Sequence, residues 1–238
     1  MTVTDVNVVK SAIFERPDDA NKGTLGSLLC VCGSYGMAGA AVMSAKGALR
    51  TGIGLAKCAL PRSIYPIVAQ TILESVYYPL SENADGRISK VNVPFLVSES
   101  CKSSATLVGC GLGVCDDTLK IVFSLIENST TPLVLDADAL NCVAKQPEIL
   151  LRKKAPIIIT PHPGEMSRLT GLATPLVNAE RERVALDFAQ KYGVVTVLKG
   201  AGTVIASPNG KVLVNPTGNS GMATGGSGDV LAGMTASI

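Results

Sequence analysis

Short, uninterrupted apolar runs alternate along this chain with longer segments of helical period, and that alternation limits the possible folds more than any single motif. The runs lie at residues 28–32, 54–60, 105–109, 132–136, 156–160 and 194–198, and the helical segments at 39–49, 117–127, 137–144 and 178–192. A strand that is apolar at every position has no face to give to water, so both faces must be covered; parallel strands also need crossovers, which helices supply. The pattern predicts an α/β fold with a mostly parallel sheet between helical layers. Residues 203–214 are different: two strand-like halves meet at Pro208-Asn209-Gly210, the signature of a β-hairpin.

Composition agrees with a large buried core. Of 238 residues, 47% are hydrophobic and only 17% charged, enough for one substantial α/β domain, although the length also permits two small ones. Lysine and arginine exceed the acids by two, with no long basic run, which argues against nucleic acid or an anionic membrane as the main partner. Seven cysteines sit at positions 30, 32, 58, 101, 110, 115 and 142 without paired CxxC spacing, the pattern of free thiols in a reducing compartment. The first ten residues lack a basic segment followed by an apolar core, and no apolar run approaches the length of a membrane span, so a soluble, cytoplasmic protein is expected.

Ligands of parallel sheets bind beyond the carboxyl ends of the strands. In this chain those ends carry the turns Gly33-Ser-Tyr-Gly-Met-Ala-Gly39, Gly109-Cys-Gly-Leu-Gly113, Asp136-Ala-Asp138, Thr160-Pro-His-Pro-Gly-Glu165 and Lys199-Gly-Ala-Gly-Thr203. Five such turns would share one crevice. A sixth element belongs with them: glycines 218, 221, 225, 226 and 228 precede a short apolar helical segment, with Asp229 where that helix would begin. A helix start offers unpaired N–H groups to an anion such as phosphate, and an acid beside it is a candidate for proton handling. The plainer alternative is a flexible loop with Asp229 as its helix cap.

Three further side chains stand out. His162 is the one histidine in the chain and lies between two prolines directly after a buried strand, so it is a candidate to touch substrate, against a purely structural role. Lys199 closes an apolar strand and can meet a phosphate; otherwise it is a solvated lysine. Asp136 has the same address at its own strand end and is the weak candidate for holding a metal or its waters, while Asp138 reads as a cap for the following helix. Neither the G-x-G-x-x-G dinucleotide fingerprint nor the G-x-x-x-x-G-K-[ST] phosphate loop occurs.

Taken together, Gly33-Ser34 with Gly39-Ala-Ala41, Arg50-Thr-Gly-Ile-Gly54, Leu135-Asp-Ala-Asp-Ala-Leu-Asn141, the 160–165 turn, Leu198 with the 199–203 turn, and Asn215-Pro-Thr-Gly-Asn219 through Gly225-Gly-Ser-Gly-Asp-Val-Leu-Ala-Gly233 resemble the ADP- or ATP-dependent NAD(P)H-hydrate dehydratases of the ribokinase-like superfamily. The resemblance runs from about Lys22 to the end. It implies one ribokinase-like domain over 1–238, a three-layer α/β/α sandwich with a mostly parallel central sheet, about 1–21 as an N-terminal extension, and a C-terminal end that is incomplete beside relatives. It leaves no room for the epimerase domain that some relatives carry ahead of it. The substrate implied is hydrated NADH or NADPH; ADP or ATP is the co-substrate, Mg2+ the cofactor, and a homotetramer the assembly. Ala40, Gly111, His162 and Asp229 would contact the hydrate, while Lys199, Gly200, Ala201, Gly202, Thr203 and Gly228 would hold the nucleotide, with Gly225, Gly226 and Ser227 in the same anion-binding turn.

The chemistry then follows. Hydroxide is a poor leaving group, whereas a phosphoryl ester on the same oxygen is a good one that the neighbouring ring nitrogen can expel. Asp229 would be the base near the hydroxyl, the N–H groups of residues 225–228 would take the developing charge, and His162 would orient the ring or take part in the later proton transfer. Two other readings of the same motifs remain: a small-molecule kinase of this fold acting on a pyrimidine or thiazole alcohol, and a catalytically silent nucleotide-binding protein.

Overall fold

The computed structural model describes residues 2–3 and 17–238. Ten strands form one sheet: β1 Thr2–Val3, β2 Ser27–Val31, β3 Leu55–Pro61, β4 Val76–Leu80, β5 Ala105–Val108, β6 Leu133–Leu135, β7 Ile157–Ile159, β8 Val195–Leu198, β9 Thr203–Ala206 and β10 Val212–Asn215. Their order is β1-β10-β9-β8-β7-β6-β5-β2-β3-β4. Only the β8–β9 and β9–β10 pairs are antiparallel, the second being the expected hairpin. All six expected apolar runs became strands, within a residue or so of their ends. Of the expected N-terminal extension, residues 1 and 4–16 lie outside the described residues; Thr2–Val3 is described and pairs parallel with β10.

Side-chain alternation sorts the strands between two helical layers. Leu28, Cys30 and Cys32 point to one face of the sheet and Leu29 and Val31 to the other. The first face is covered by α1 Ala38–Thr51, α2 Tyr65–Thr71 and, from the far end of the chain, the last helix, α9 Ser227–Ser237. The second is covered by α3 Val93–Cys101, α4 Asp116–Asn128, α5 Asp138–Val143, α6 Pro163–Thr170, α7 Thr174–Ala179 and α8 Arg181–Tyr192. The single helix expected over 178–192 is in fact two. The break falls at Glu180, whose φ of −125° and ψ of 40° end α7 before Arg181 starts α8.

The first layer is built for close approach. The α1 positions that face α9 are small, Ser44, Ala45, Gly47 and Ala48, all buried. A Cβ added at Gly47 would lie 2.6 Å from the Val230 carbonyl oxygen, and one at Gly233 would overlap the Ser44 carbonyl, so the two backbones touch and no larger residue fits between them. In the second layer the helices present larger side chains to the sheet, among them Ile121, Leu125, Met166, Phe188 and Tyr192. Among the described residues all seven cysteines are free thiols, and no helix is long and apolar enough to cross a membrane.

Candidate functional site

The strands β6, β7 and β8 run parallel side by side, so the residues that follow each of them arrive together. Asp136 follows β6, Thr160 follows β7 and Lys199 follows β8. Asp136 is 1% exposed, and a carboxylate so buried must be paired to stay charged. Lys199 Nζ lies 2.6 Å from its Oδ1, and the Thr160 hydroxyl donates to the same oxygen at 2.7 Å. Lys199 is therefore a counter-ion at the floor of the crevice and not a surface lysine. Its Nζ is also 3.8 Å from Oε2 of Glu165.

Glu165 is placed by the local fold of α6. His162 is the N-cap: its Nδ1 accepts the Gly164 N–H at 3.0 Å, while Glu165 Oε2 accepts the His162 N–H at 2.7 Å. With Pro163 at the first helical position, the Thr-Pro-His-Pro-Gly-Glu segment is a reciprocal helix cap. A ring nitrogen that accepts a backbone N–H is unprotonated, which leaves the proton on Nε2, 3.5 Å from Glu165 Oε1. Burial, then the Lys199 and Arg168 charges, lower the His162 pKa below its usual 6.5 in keeping with this. Burial raises Glu165 above the usual carboxylate range, with Lys199 opposing it.

The opposite wall comes from β2, β5 and α9. Gly33 N–H donates to the Cys110 carbonyl and the Ser34 hydroxyl to that of Gly111, both at 2.8 Å, which locks the two turns together. Gly111 packs on Ala40 so tightly that an added Cβ would sit 2.7 Å from the Ala40 methyl. Asp138 does not cap α5 as expected: its Oδ2 accepts the Gly113 N–H at 2.8 Å and so ties down the β5 turn from the next strand. Between the two acids, Ala137 holds φ 50° and ψ −113°, a backbone conformation that costs a non-glycine residue about 1–3 kcal/mol.

The last helix brings its N-terminus over this floor. It starts at Ser227, two residues ahead of Asp229, and its N-cap is Gly226, with φ 91° and the Met43 thioether where a Cβ would be. Asp229 is thus in the first turn and makes no capping bond. A Cβ at Gly228 would be 3.5 Å from Lys199 Nζ and 3.9 Å from Asp136 Oδ2, so the ammonium lies directly under the helix start. The Gly228 and Asp229 amides have no backbone acceptor among the described residues. Donor groups and a cation converge on one spot, the arrangement that holds phosphate. Asp229 is half-buried there; burial first, then the Asp136 charge, raise its pKa, with a Cys110 hydrogen bond opposing. One oxygen each of Asp136 and Asp229 and the Cys110 sulfur lie within 4.8 Å of one another.

A family model described as NAD(P)H-hydrate dehydratase matches residues 28–238. The chain belongs to the NAD(P)H-hydrate dehydratase family. It is 41% identical over 223 residues to a bifunctional NAD(P)H-hydrate repair enzyme of Thermofilum pendens, covering 94% of this chain but 43% of that one. It is 33% identical over 228 residues to an ADP-dependent (S)-NAD(P)H-hydrate dehydratase of Bacillus subtilis, covering 95% of this chain and 76% of that one. Among solved structures, the Bacillus subtilis ADP/ATP-dependent NAD(P)H-hydrate dehydratase co-crystallized with ATP/Mg2+ superposes with a TM-score of 0.83 at 31% identity, covering 99% of this chain and 80% of that one. The chain thus spans less than half the length of bifunctional relatives and about three quarters of the dehydratase. The family assignment carries the ribokinase-like α/β fold with it.

Within the dehydratase framework, the structure gathers Ala40, Gly111, His162, Asp229, Lys199 and residues 225–228 along one sheet edge. The 199–203 turn (Lys199, Gly200, Ala201, Gly202, Thr203) leads out of that edge toward a cleft of about 460 Å³ lined by Asn178, Arg181, Ala201, Gly202, Val204 and Val214. Thr160, Cys110 and Arg181 join the site without having been singled out by the sequence as site residues. Arg181 donates to the Leu198 and Lys199 carbonyls at 2.8 and 3.1 Å, and its guanidinium fills the space where a Gly200 side chain would be. Thr160, like Asp136, is a polar residue closing a buried run, and Cys110 lies in a crevice turn, but the partners each meets come from other strands; Arg181 carries no local signal, because it reaches the site from α8.

Proposed function

We propose that this chain is a nucleotide-dependent NAD(P)H-hydrate dehydratase that phosphorylates the hydroxyl of hydrated NADH or NADPH and then eliminates phosphate. The observation that carries this reading is the convergence of Asp229, Lys199 and the free amides of α9 on one spot of the crevice, beside a neutral His162. Asp229 takes the hydroxyl proton as the oxygen attacks the terminal phosphorus of ADP or ATP. The P–O bond to the rest of the nucleotide breaks, leaving it one phosphate shorter. Amides of Gly228 and Asp229 and the Lys199 ammonium balance charge on the moving phosphoryl group, aligned before the reaction rather than during it. In the second half the ring nitrogen pushes out phosphate and the neighbouring ring carbon loses a proton, restoring the double bond. His162, with Nε2 bearing its proton and Nδ1 held by Gly164, orients the ring on that side.

Lys199, Gly200, Ala201, Gly202 and Thr203 hold the nucleotide together with Gly225, Gly226, Ser227 and Gly228, and the cleft beside Ala201 has room for its base. Asp136 has one oxygen committed to Lys199 and Thr160, so the donor set fits a Mg2+ that arrives on the nucleotide's phosphates and needs few protein ligands, Asp136 Oδ2 and Asp229 being the oxygens in reach. When bound, Mg2+ would neutralise phosphate charge. The near balance of acids and bases supports a soluble, cytoplasmic enzyme with no nucleic-acid or membrane partner, and the resemblance adds a homotetramer. The test is to supply NADH hydrate with ADP or ATP and Mg2+ and to follow dihydronicotinamide absorbance together with phosphate release. Recovery with either nucleotide supports the reading. Stable phosphorylation of an alcohol substrate, or binding with no recovery, overturns it.

A further inference from the structure

Arg181 stands where an arginine is unfavourable. It is the first residue of α8, the end of a helix at which a cation opposes the backbone dipole. It has no ion-pair partner among the described residues, whereas Arg183 on the same helix pairs with Glu180 and Asp187. Its Nε is buried and donates to no acceptor there. Each of these costs stability, so another interaction must offset them. The guanidinium makes two bonds from one nitrogen: Nη2 donates to the Leu198 carbonyl at 2.8 Å and to the Lys199 carbonyl at 3.1 Å. Gly200 leaves room for it, since a Cβ at that position would lie 2.9 Å from both Nη1 and Nη2.

Those two carbonyls decide how the 199–203 turn faces. In a trans peptide the C=O and the following N–H point in opposite directions, and no peptide bond among the described residues is cis. With the Leu198 carbonyl held, the Lys199 N–H reaches the Pro161 carbonyl at 2.8 Å. With the Lys199 carbonyl held, the Gly200 N–H points away from the guanidinium. The Thr203 hydroxyl donates to the Gly200 carbonyl at 2.9 Å and turns the Ala201 N–H away in the same manner. The amides of residues 200–202 have no backbone acceptor among the described residues. Successive free amides, with their carbonyls tied back, make a donor surface for an anion. We propose that Arg181 is a positioning residue for the nucleotide: it ties back the carbonyls that end β8 and so presents the amides of the turn to the nucleotide's phosphates. This rests on the nucleotide-holding role given to that turn above. From the wall of the adjoining cleft, its charge also attracts those phosphates.

Three substitutions separate this role from packing. Arg181→Met keeps an unbranched apolar stem and removes every donor, Arg181→Lys keeps the charge without the planar fork, and Arg152→Met removes an exposed arginine that pairs with Glu127. Calorimetric titration with ADP and Mg2+ is expected to show affinity about tenfold weaker in Arg181→Met, about threefold weaker in Arg181→Lys and unchanged in Arg152→Met. In the hydrate assay, KM for ADP should rise in step with the dissociation constant. KM for the hydrate should stay within about twofold and kcat within about threefold, because the amides hold the nucleotide equally before and during the reaction. Unchanged ADP affinity in Arg181→Met, a hydrate KM that rises as far as that for ADP, or an equal loss in Arg152→Met overturns the proposal. Should Arg181→Met not fold, Arg181→Lys decides, and parental ADP affinity in that variant overturns the proposal. A parent chain that binds no ADP overturns the proposal and the nucleotide dependence together. ADP binding that depends on Arg181 in a chain that restores no NADH from its hydrate sustains the proposal and overturns only the dehydratase reading.

Discussion

The two helical layers of this molecule are packed on different principles. Beneath α4, α5, α6 and α8 the contact is made by large aliphatic and aromatic side chains such as Leu125, Ile126, Met166 and Phe188. Between α1 and α9 it is made by alanines and Ser44, with glycines at the points of closest approach, while the strands beneath add Leu28, Leu107 and Val134. Burying large side chains contributes most of the favourable free energy per residue, at about 1.5–3 kcal/mol each, so the aliphatic layer is where stability accumulates. Small side chains contribute less but leave no slack, because backbone against backbone has one distance. The small-residue layer gives up burial for precision, and the part it fixes precisely is the start of α9, where Asp229 and the free amides are.

That contrast can be broken in order of expected effect. Asp229→Asn should lower kcat about a thousandfold, the size of a general-base contribution, with nucleotide affinity largely kept. Its stability should rise near neutral pH. The folded pKa of Asp229 is raised above the unfolded one, so the native carboxylate holds its proton to higher pH and losing it costs stability at pH values above the usual carboxylate range; the neutral amide removes that cost. Calorimetry showing a lower Tm for Asp229→Asn at pH 7 would contradict this.

The second test pairs one substitution from each layer. Gly233→Ala drives a methyl into the Ser44 carbonyl and should cost about 3 kcal/mol, while shifting α9 enough to cut kcat/KM about a hundredfold. Leu125→Ala opens a cavity in the other layer, should cost a similar ~3 kcal/mol, and should leave kcat at 25 °C unchanged in the folded fraction. Denaturant titration and steady-state rates on the pair decide the matter: equal losses of activity would mean that the layers do not differ in role.

The smallest effect probes the point where the aliphatic layer reaches the site, the N-cap of α6. Because the folded pKa of His162 lies below 6.5, the unfolded chain takes up that proton first. The contribution of the neutral ring is then fully present above pH 6.5 and lost as pH falls from there toward the folded value. His162→Asn keeps a capping acceptor but cannot titrate, so its Tm should fall less between pH 7.5 and pH 5.5 than that of the parent. Parallel Tm profiles would remove the assignment of a neutral, capping histidine.

The central strands were legible because a strand buried on both faces must be apolar throughout, and a run of that kind has few other meanings. Elements at the periphery were not. Strand β4, Val76-Tyr-Tyr-Pro-Leu80, lies at the sheet edge with Val76 and Pro79 exposed, and the proline inside it argues against a strand. Helix α6 is entered through Pro161-His162-Pro163-Gly164, which reads as a loop until the reciprocal bonds of His162 and Glu165 are seen. The site was legible where its members end strands, as Asp136, His162 and Lys199 do. It was illegible where a residue acts through spatial neighbours: Asp138 serves the β5 turn and not its own helix, and Cys110 meets Asp229 across more than a hundred residues of sequence.

Strand β2 lies between β3, which follows it closely, and β5, which is bonded to it across 77 residues at Ser27–Ser104 and Ser34–Gly111. During synthesis, then, the glycine-lined flank of α1 is made long before the helix that covers it. One side of the crevice can form early, but the placing of Asp229 depends on a contact between residues far apart in the sequence, Gly47 against Val230. When α9 closes onto α1, the proposed catalytic acid is set in place and the glycine-lined flank of α1 is covered in the same step.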